Sequence, residues 1–410
     1  MLNQWEDRIR PVIVVVGHCG IPTGFSRVLR QIVIALRDAG FELHHFAINL
    51  VPDSPIPDWP CPVICNPAPG DLHNAAELAA IIESLHPDVV LMMDEPWACA
   101  RLMTAFTLHP EIRTVLYVAI HGRDSLPPAI ATQLGAADRL VAFTPQAERL
   151  LRDALEAGGE SPQFATIPHG VDTQAFYPLI RRQNGDPSPD RVRHARQLLF
   201  ADRPELADGL IVLNANRNQP FKRIDLALEG FARFAQGKPP NVRMYLHLAT
   251  RPALPDEVTL VDRLGLRDRI LPKELPEKHP HADDRWLNLL YNACDIGMNT
   301  SQREGWGLVS FEHAATGAPQ MVPNHSAGAE LWPGSALMLD TEQHKSKEDP
   351  QFEGDVRIDS VSEALEMLYQ NKSARYEMSL SAYRLATDER FQWKSIGETW
   401  SNLLCTLLES

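Results

Sequence analysis

Continuous apolar runs rich in β-branched residues alternate along this chain with stretches whose apolar positions recur at helical spacing. Residues 12–16 (VIVVV) read as a strand buried on both faces. A turn-rich loop, GHCGIPTG, follows it. Residues 25–39 then carry Val28, Leu29, Ile32, Val33 and Leu36 on one helical face, with Gly40 placed to end the helix. Strands are predicted at 41–48 and 89–93, with a helix over 75–85. RTVLYVAIHG (113–122), RLVAF (139–143) and FATI (164–167) continue the series.

The alternation lapses over 176–197, a polar stretch rich in proline and arginine that reads as a linker plus a short helix, and then restarts. Strands are predicted at 210–215, 242–249, 296–299 and PQMVP (319–323), and helices at 224–235, 283–293 and 308–316. The last segment places Phe391, Trp393, Ile396, Trp400 and Leu403 on one helical face. Strand and helix repeated in this order imply two successive doubly wound α/β units, each a parallel sheet with helices on both faces. Such sheets bind ligands at their carboxyl ends.

Bulk properties narrow the function classes. The 410 residues are 44% hydrophobic and 22% charged, enough for two cores, and the formal net charge is −14. That charge argues against a nucleic-acid binder and a polybasic membrane anchor, leaving at most peripheral membrane contact. The first residues, MLNQWEDRIRP, have no apolar core of a secretory leader, and the longest apolar runs are too short to span a bilayer. Six cysteines without zinc-like spacing are expected as reduced thiols in a cytoplasmic protein, with Cys61 and Cys65 bracketing a strand edge.

Two stretches carry candidate chemistry. In NANRNQPFKRIDLALEGFARF (214–234), Arg217 and Lys222 lie between a strand and a helix. Two cations beside a helix N-terminus form an anion site that suits a diphosphate, and Arg223 adds to the local basicity; a solvated basic loop has the same spacing. In REGWGLVSFEHAATGAP (303–319), Glu304 and Glu312 flank a glycine-bracketed apolar run. Gly305 and Gly307 let backbone amides approach a ligand, and two carboxylates can only accept hydrogen bonds, which suits a ligand rich in hydroxyls. The alternative is that Glu304 caps the helix and Glu312 pairs with an arginine such as Arg303.

The second stretch resembles the E-x7-E motif of retaining GT-B glycosyltransferases, glycosyltransferase family 4 in particular. NRNQPFKRIDLALEGFARF is similar to that family's donor-phosphate segment, IPHGVDTQAFYP (167–178) to the stretch leading into its linker, and PTGFSRVLRQIVIALRDAGFELH to its first loop and helix. The resemblance implies an N-terminal acceptor-side domain (1–178), a donor-side domain (179–388) and a closing helix (389–410) that crosses back onto the first. It implies that Arg217 and Lys222 hold the donor diphosphate, that Glu312 accepts from ribose hydroxyls, and that Glu304 accepts from the transferred sugar. The backbone of Trp306, Gly307, Leu308 and Val309 would line the donor, and Gly24 would let the first domain's backbone approach the phosphates.

His121 matches a histidine facing the reacting sugar, although a lone strand-end histidine could equally make a structural hydrogen bond. Asp94 and Glu95, after a predicted strand, could meet the acceptor. His169 stands where asparagine is usual, and a structural role is expected for it. His279, His281 and His325 have no ligand-like spacing.

The implied activity is transfer of a hexose-type sugar, with retention, from a nucleotide-diphosphate sugar to a glycan, glycolipid or small-molecule acceptor, in cell-surface polysaccharide or glycolipid synthesis. No cofactor or metal is expected, since no D-x-D motif occurs at the place metal-dependent enzymes carry it and cationic side chains can serve instead. A sugar-nucleotide binder without transfer activity and a sugar-nucleotide epimerase are the competing readings. A dehydrogenase fits less well, because no G-x-G-x-x-G follows the first strand.

Overall fold

A computed structural model of the chain describes residues 10–20, 23–55, 58–68, 70–71, 73–106, 109, 111–122, 126–156, 162–247, 255–271, 283–342 and 354–409. His279 and His281 lie outside them. The chain divides into two compact units, Met1–Gly170 with Arg390–Ser410, and Val171–Glu389.

The first unit is a seven-stranded sheet of β1 (Val12–Gly17), β2 (Glu42–Ala47), β3 (Val63–Cys65), β4 (Val89–Asp94), β5 (Arg113–Val118), β6 (Arg139–Ala142) and β7 (Gln163–Thr166), in the order β3-β2-β1-β4-β5-β6-β7. Every pairing is parallel. Its helices are α1 (Gly24–Asp38), α2 (Ala75–Leu85), α3 (Pro96–Met103), α4 (Pro128–Gly135) and α5 (Pro145–Glu156). The continuous apolar character of β1 follows from burial on both faces. Val14 and Val16 pack with Leu78, Ile82, Leu102 and Leu134 on one side. Ile13 and Val15, fully buried as well, point to the other side by strand alternation. Thr23 starts α1 by accepting from the Ser26 amide, and Gly40, at φ 96°, follows its end as expected.

The second unit repeats the winding. Its strands β8 (Leu210–Asn214), β9 (Val242–Leu246), β10 (Ile270–Leu271), β11 (Ile296–Met298), β12 (Gln320–Pro323) and β13 (Leu337–Leu339) run parallel in the order β10-β9-β8-β11-β12-β13. Helices α6 (Asp190–Leu199), α7 (Ile224–Ala235), α8 (Pro255–Arg263), α9 (Asp284–Ala293), α10 (Leu308–Ala315), α11 (Ser326–Leu331), α12 (Ile358–Gln370) and α13 (Lys372–Ala386) cover it. In each sheet the strand order reverses beside its first strand, between β1 and β4 and between β8 and β11. In such sheets a crevice lies at the carboxyl ends of the strands that flank the reversal.

The last helix, α14 (Trp393–Glu409), belongs to the first unit and packs on α1. Gly397 permits the close approach, since a Cβ there would lie 2.5 Å from the Ala35 methyl. Trp400 is fully buried with its ring edge-on to Tyr117, centroids 4.9 Å apart. The buried face is Ile396, Trp400, Leu404 and Leu407, so Leu404 takes the place expected of Leu403, one residue round the helix. No helix among the described residues is long and apolar enough to cross a membrane. All six cysteines are free thiols.

Burial holds four imidazoles neutral. It lowers His45 and His325 from 6.5 to about 4, and His169 and His313 to about 3. The unfolded chain takes protons at these positions near pH 6.5 while the folded chain refuses them. Their contribution to stability is therefore complete above that pH and is lost as the pH falls toward 4. The urea midpoint is expected to be clearly lower at about pH 5 than at about pH 7.5. Equal midpoints would show that these histidines are not neutral in the fold.

Candidate functional site

At the reversal point of the second sheet, β8 is followed by a loop in which Asn214 accepts from the Asn216 amide, then by a single 3-10 turn (Pro220–Lys222). Arg223 adopts φ 48° and starts α7. β11, adjacent to β8, is followed by the loop 299–307 and α10. The two loops are stitched together. The Gln302 amide donates to Phe221 O at 2.7 Å, and the Thr300 hydroxyl donates to the carbonyls of Lys222 and Arg223 at 3.2 and 2.9 Å.

This stitching brings Lys222 and Glu304 together. Lys222 Nζ lies 2.6 Å from Glu304 Oε2, with the two side chains 9% and 17% exposed. The same carboxylate oxygen accepts from Asn299 Nδ2 at 3.2 Å and from Ser301 Oγ at 3.4 Å. Glu304 therefore does not cap α10; Gly307 does, at φ 91°, a conformation glycine adopts without strain. Leu308 and Val309 open α10, whose first amides have no intrahelical partner.

Glu312 sits within α10, buried, and accepts from the Tyr291 hydroxyl at 3.1 Å. Arg303, the alternative partner considered for Glu312, lies over the Phe221 ring, 4.9 Å from its centre. Both glutamates thus have protein partners in the structure, rather than facing only water or a ligand.

The two cations of the first stretch differ. Arg217 is exposed, and no ion pair to it is found among the described residues. Arg223, counted above toward local basicity, is instead neutralised by Asp225 at 2.7 Å and by Asp355. Lys222 is itself paired with Glu304, so Arg217 is the cation of this stretch without an ion pair among the described residues.

A small pocket beside Glu304 is lined by Trp306, Ser310, Val322, His325 and Trp332. Trp306 stacks on Phe311, which in turn packs on Trp332, with centroids 5.1 and 4.6 Å apart. His325 Nδ1 lies 3.0 Å from Ser326 Oγ, and burial keeps the ring neutral. The absence of ligand-like spacing hid His325, yet its place just after β12 marks it as a carboxyl-edge residue.

In the first unit, Asp94 ends β4, Glu95 caps α3 and His121 follows β5. Asp94 Oδ2 is 3.3 Å from His73 Nε2, both side chains nearly buried, and Asp94 Oδ1 accepts from the Glu95 amide at 2.8 Å. Glu95 Oε1 is 3.7 Å from His121 Nε2, and Glu95 Oε2 accepts from the Trp97 indole at 2.9 Å. His73 and Trp97 were not foreseen. Gly24 is the first residue of α1. His169 shares a 2.8 Å hydrogen bond with the Tyr117 hydroxyl inside the core, the structural role expected of it. Among the described residues, no cluster of three or more histidine, cysteine or acidic side chains is placed to hold a metal.

No family model matches the chain. A stretch of 190 residues, 45% of the chain, is 32% identical to the D-inositol 3-phosphate glycosyltransferase of Geodermatophilus obscurus and covers 37% of that protein. Mannosylfructose-phosphate synthase of Agrobacterium fabrum is 26% identical over 192 residues, 46% of this chain and 38% of that one. The chain spans less than half the length of either curated relative.

Solved structures match over nearly the whole chain. Sucrose-phosphate synthase from Thermosynechococcus elongatus aligns with a TM-score of 0.74 over 98% of this chain and 100% of its own, at 18% identity. Anabaena HepE, solved with UDP and glucose, aligns with a TM-score of 0.69 over 97% and 100%, also at 18%. Two parallel α/β units and a C-terminal helix on the first are the GT-B fold, here in a chain related in sequence to curated glycosyltransferases.

Proposed function

We propose that the protein is a retaining, metal-independent glycosyltransferase of the family 4 type, moving a sugar from a nucleotide-diphosphate donor to a hydroxyl acceptor. The observation that carries this reading is the Lys222–Glu304 pair at the reversal point of the second sheet. Arg217 on the same loop and the glycine-capped start of α10 support it. A departing diphosphate needs positive charge, and an ammonium held in place by a carboxylate supplies it without reorganisation at the moment of reaction. Lys222 has three N–H donors, so it can keep Glu304 and still donate to phosphate oxygen. Arg217 adds a planar fork suited to the same group.

In this reading Glu304 accepts from a hydroxyl of the transferred sugar and Glu312 from the ribose. The backbone of Trp306, Gly307, Leu308 and Val309 lines the donor. Gly24 and His121, in the first unit, keep the phosphate and sugar roles that the resemblance assigns. The acceptor oxygen forms its bond to the anomeric carbon on the face from which phosphate departs, and the acceptor proton passes to the leaving phosphate oxygen. The relatives named for phosphorylated sugars or cyclitols leave the acceptor of this chain open. UDP-glucose is the first donor to try, because HepE of the same fold is solved with it.

Thermal-shift screening of UDP, GDP and ADP with their sugars tests the donor assignment. A ligand at about 100 times its Kd stabilises by about 2.7 kcal/mol. With the donor found, turnover is expected to survive EDTA, and the product is expected to keep the donor's anomeric configuration. Activity abolished by EDTA and restored by a divalent cation would overturn the metal-independent mechanism, and an inverted product would overturn retention.

A further inference from the structure

We propose that the carboxyl edge of the first sheet binds an unphosphorylated, hydroxyl-rich ligand, a sugar or cyclitol lying on the Trp97 ring. As an acceptor site it rests on the transferase reading above. As a binding site it stands on the geometry of the first unit alone.

Trp97 is 49% exposed, among the largest apolar surfaces the described residues leave open. It is nevertheless held in place. Its indole N–H donates to Glu95 at 2.9 Å, and the His73 ring meets it edge-to-face with centroids 4.8 Å apart. His73 is positioned in turn by Asp94, itself buried and hydrogen-bonded to the Glu95 amide. A rigid indole, half open, with the Glu95 carboxylate at its edge and the His121 imidazole 3.7 Å from that carboxylate, offers an apolar plate with polar groups nearby. A pyranose or cyclohexane ring matches both parts, with C–H bonds on its face and hydroxyls at its edge.

Charge decides which sugars fit. Asp94 and Glu95 lie at this edge with Asp71 beside them. Arg101 donates to Asp71 at 2.6 Å, so its charge is already paired with a carboxylate. A phosphate dianion would meet carboxylates here, whereas a neutral or amino-bearing sugar meets acceptors.

Saturation-transfer NMR on the full chain tests this with methyl glucoside, glucosamine and myo-inositol against glucose 6-phosphate, glucosamine 6-phosphate and inositol 1-phosphate. The parent compounds are expected to bind and their phosphate esters not. Trp97→Ala is expected to weaken binding about tenfold or more, a loss of roughly 1.4 kcal/mol, with Trp97→Phe restoring part of it. Glu95→Gln keeps an acceptor for the indole N–H while removing the charge, and is expected to let the phosphate esters bind.

Binding of none of the parent compounds, esters that bind wild type as tightly as their parents, or unchanged binding by Trp97→Ala would each overturn the proposal. Thermal shifts with UDP, GDP and ADP on the same samples separate the two readings. Polyol binding without any nucleotide binding would end the transferase reading and leave this site standing. Nucleotide binding without polyol binding would do the reverse.

Discussion

Lys222→Met is expected to lower kcat by about 10²–10³, because removing one preorganised charge from a developing oxyanion costs about 2.7–4 kcal/mol. The same change leaves Glu304, 17% exposed, without its counter-ion, which is expected to destabilise the second unit by less than the roughly 3–5 kcal/mol of a fully buried pair. These losses have separate origins, and a double variant resolves them. Lys222→Met with Glu304→Gln removes both charges, and Asn299 and Ser301 can still donate to the amide oxygen. Stability should return toward wild type while turnover stays low. If turnover returned together with stability, the role of Lys222 would be structural. Retained kcat in a folded Lys222→Met protein would remove the phosphate assignment altogether.

Trp400→Ala is the second large effect expected. Truncating a fully buried tryptophan costs about 3–5 kcal/mol, since the neighbours collapse only partly into the space. Trp400 fixes α14 to the first unit through the Tyr117 ring, and Gly397 lets the helix sit against Ala35. The first thermal transition should fall by about 10 °C, whereas Trp400→Phe should recover most of the loss. Nucleotide binding at low temperature should persist, because Lys222, Glu304 and Glu312 belong to the other unit. A transition unmoved by Trp400→Ala would mean that α14 is not fastened to the first unit in solution.

Much of the fold was legible because its strands are continuous apolar runs closed by glycine or polar loops. The predicted bounds of α2 and α7 match the observed helices, and the stretch between Cys61 and Cys65 does enter a strand, β3, which ends on Cys65 at the edge of the first sheet. α3 was not legible. Six of its eight residues are buried, so PWACARLM has no polar face to set a period. α12 was missed although Val361, Leu365 and Leu368 announce a helical face.

At the site, residue types and local order could be read, but partners could not. Lys222 and Glu304 stand 82 positions apart and meet because β8 and β11 are neighbours, a strand order that periodicity does not encode. The same holds for Asp94 and His73, joined across the end of β4. Two glutamates that suggested a waiting cleft are instead engaged with Lys222 and Tyr291. A ligand must therefore share these hydrogen bonds or displace them.

The position of α14 also bears on synthesis. Val171–Glu389 is one unbroken stretch, whereas the first unit needs Arg390–Ser410 to complete its packing. During translation the second unit has all its residues before the first does. The first sheet emerges early with the groove beside α1 uncovered, and it waits through the whole second unit for Ile396, Trp400 and Leu404. A ribosome stalled before Trp393 would thus carry a second unit able to fold beside an incomplete first one. Residues made after the second unit are thus the ones that complete the first.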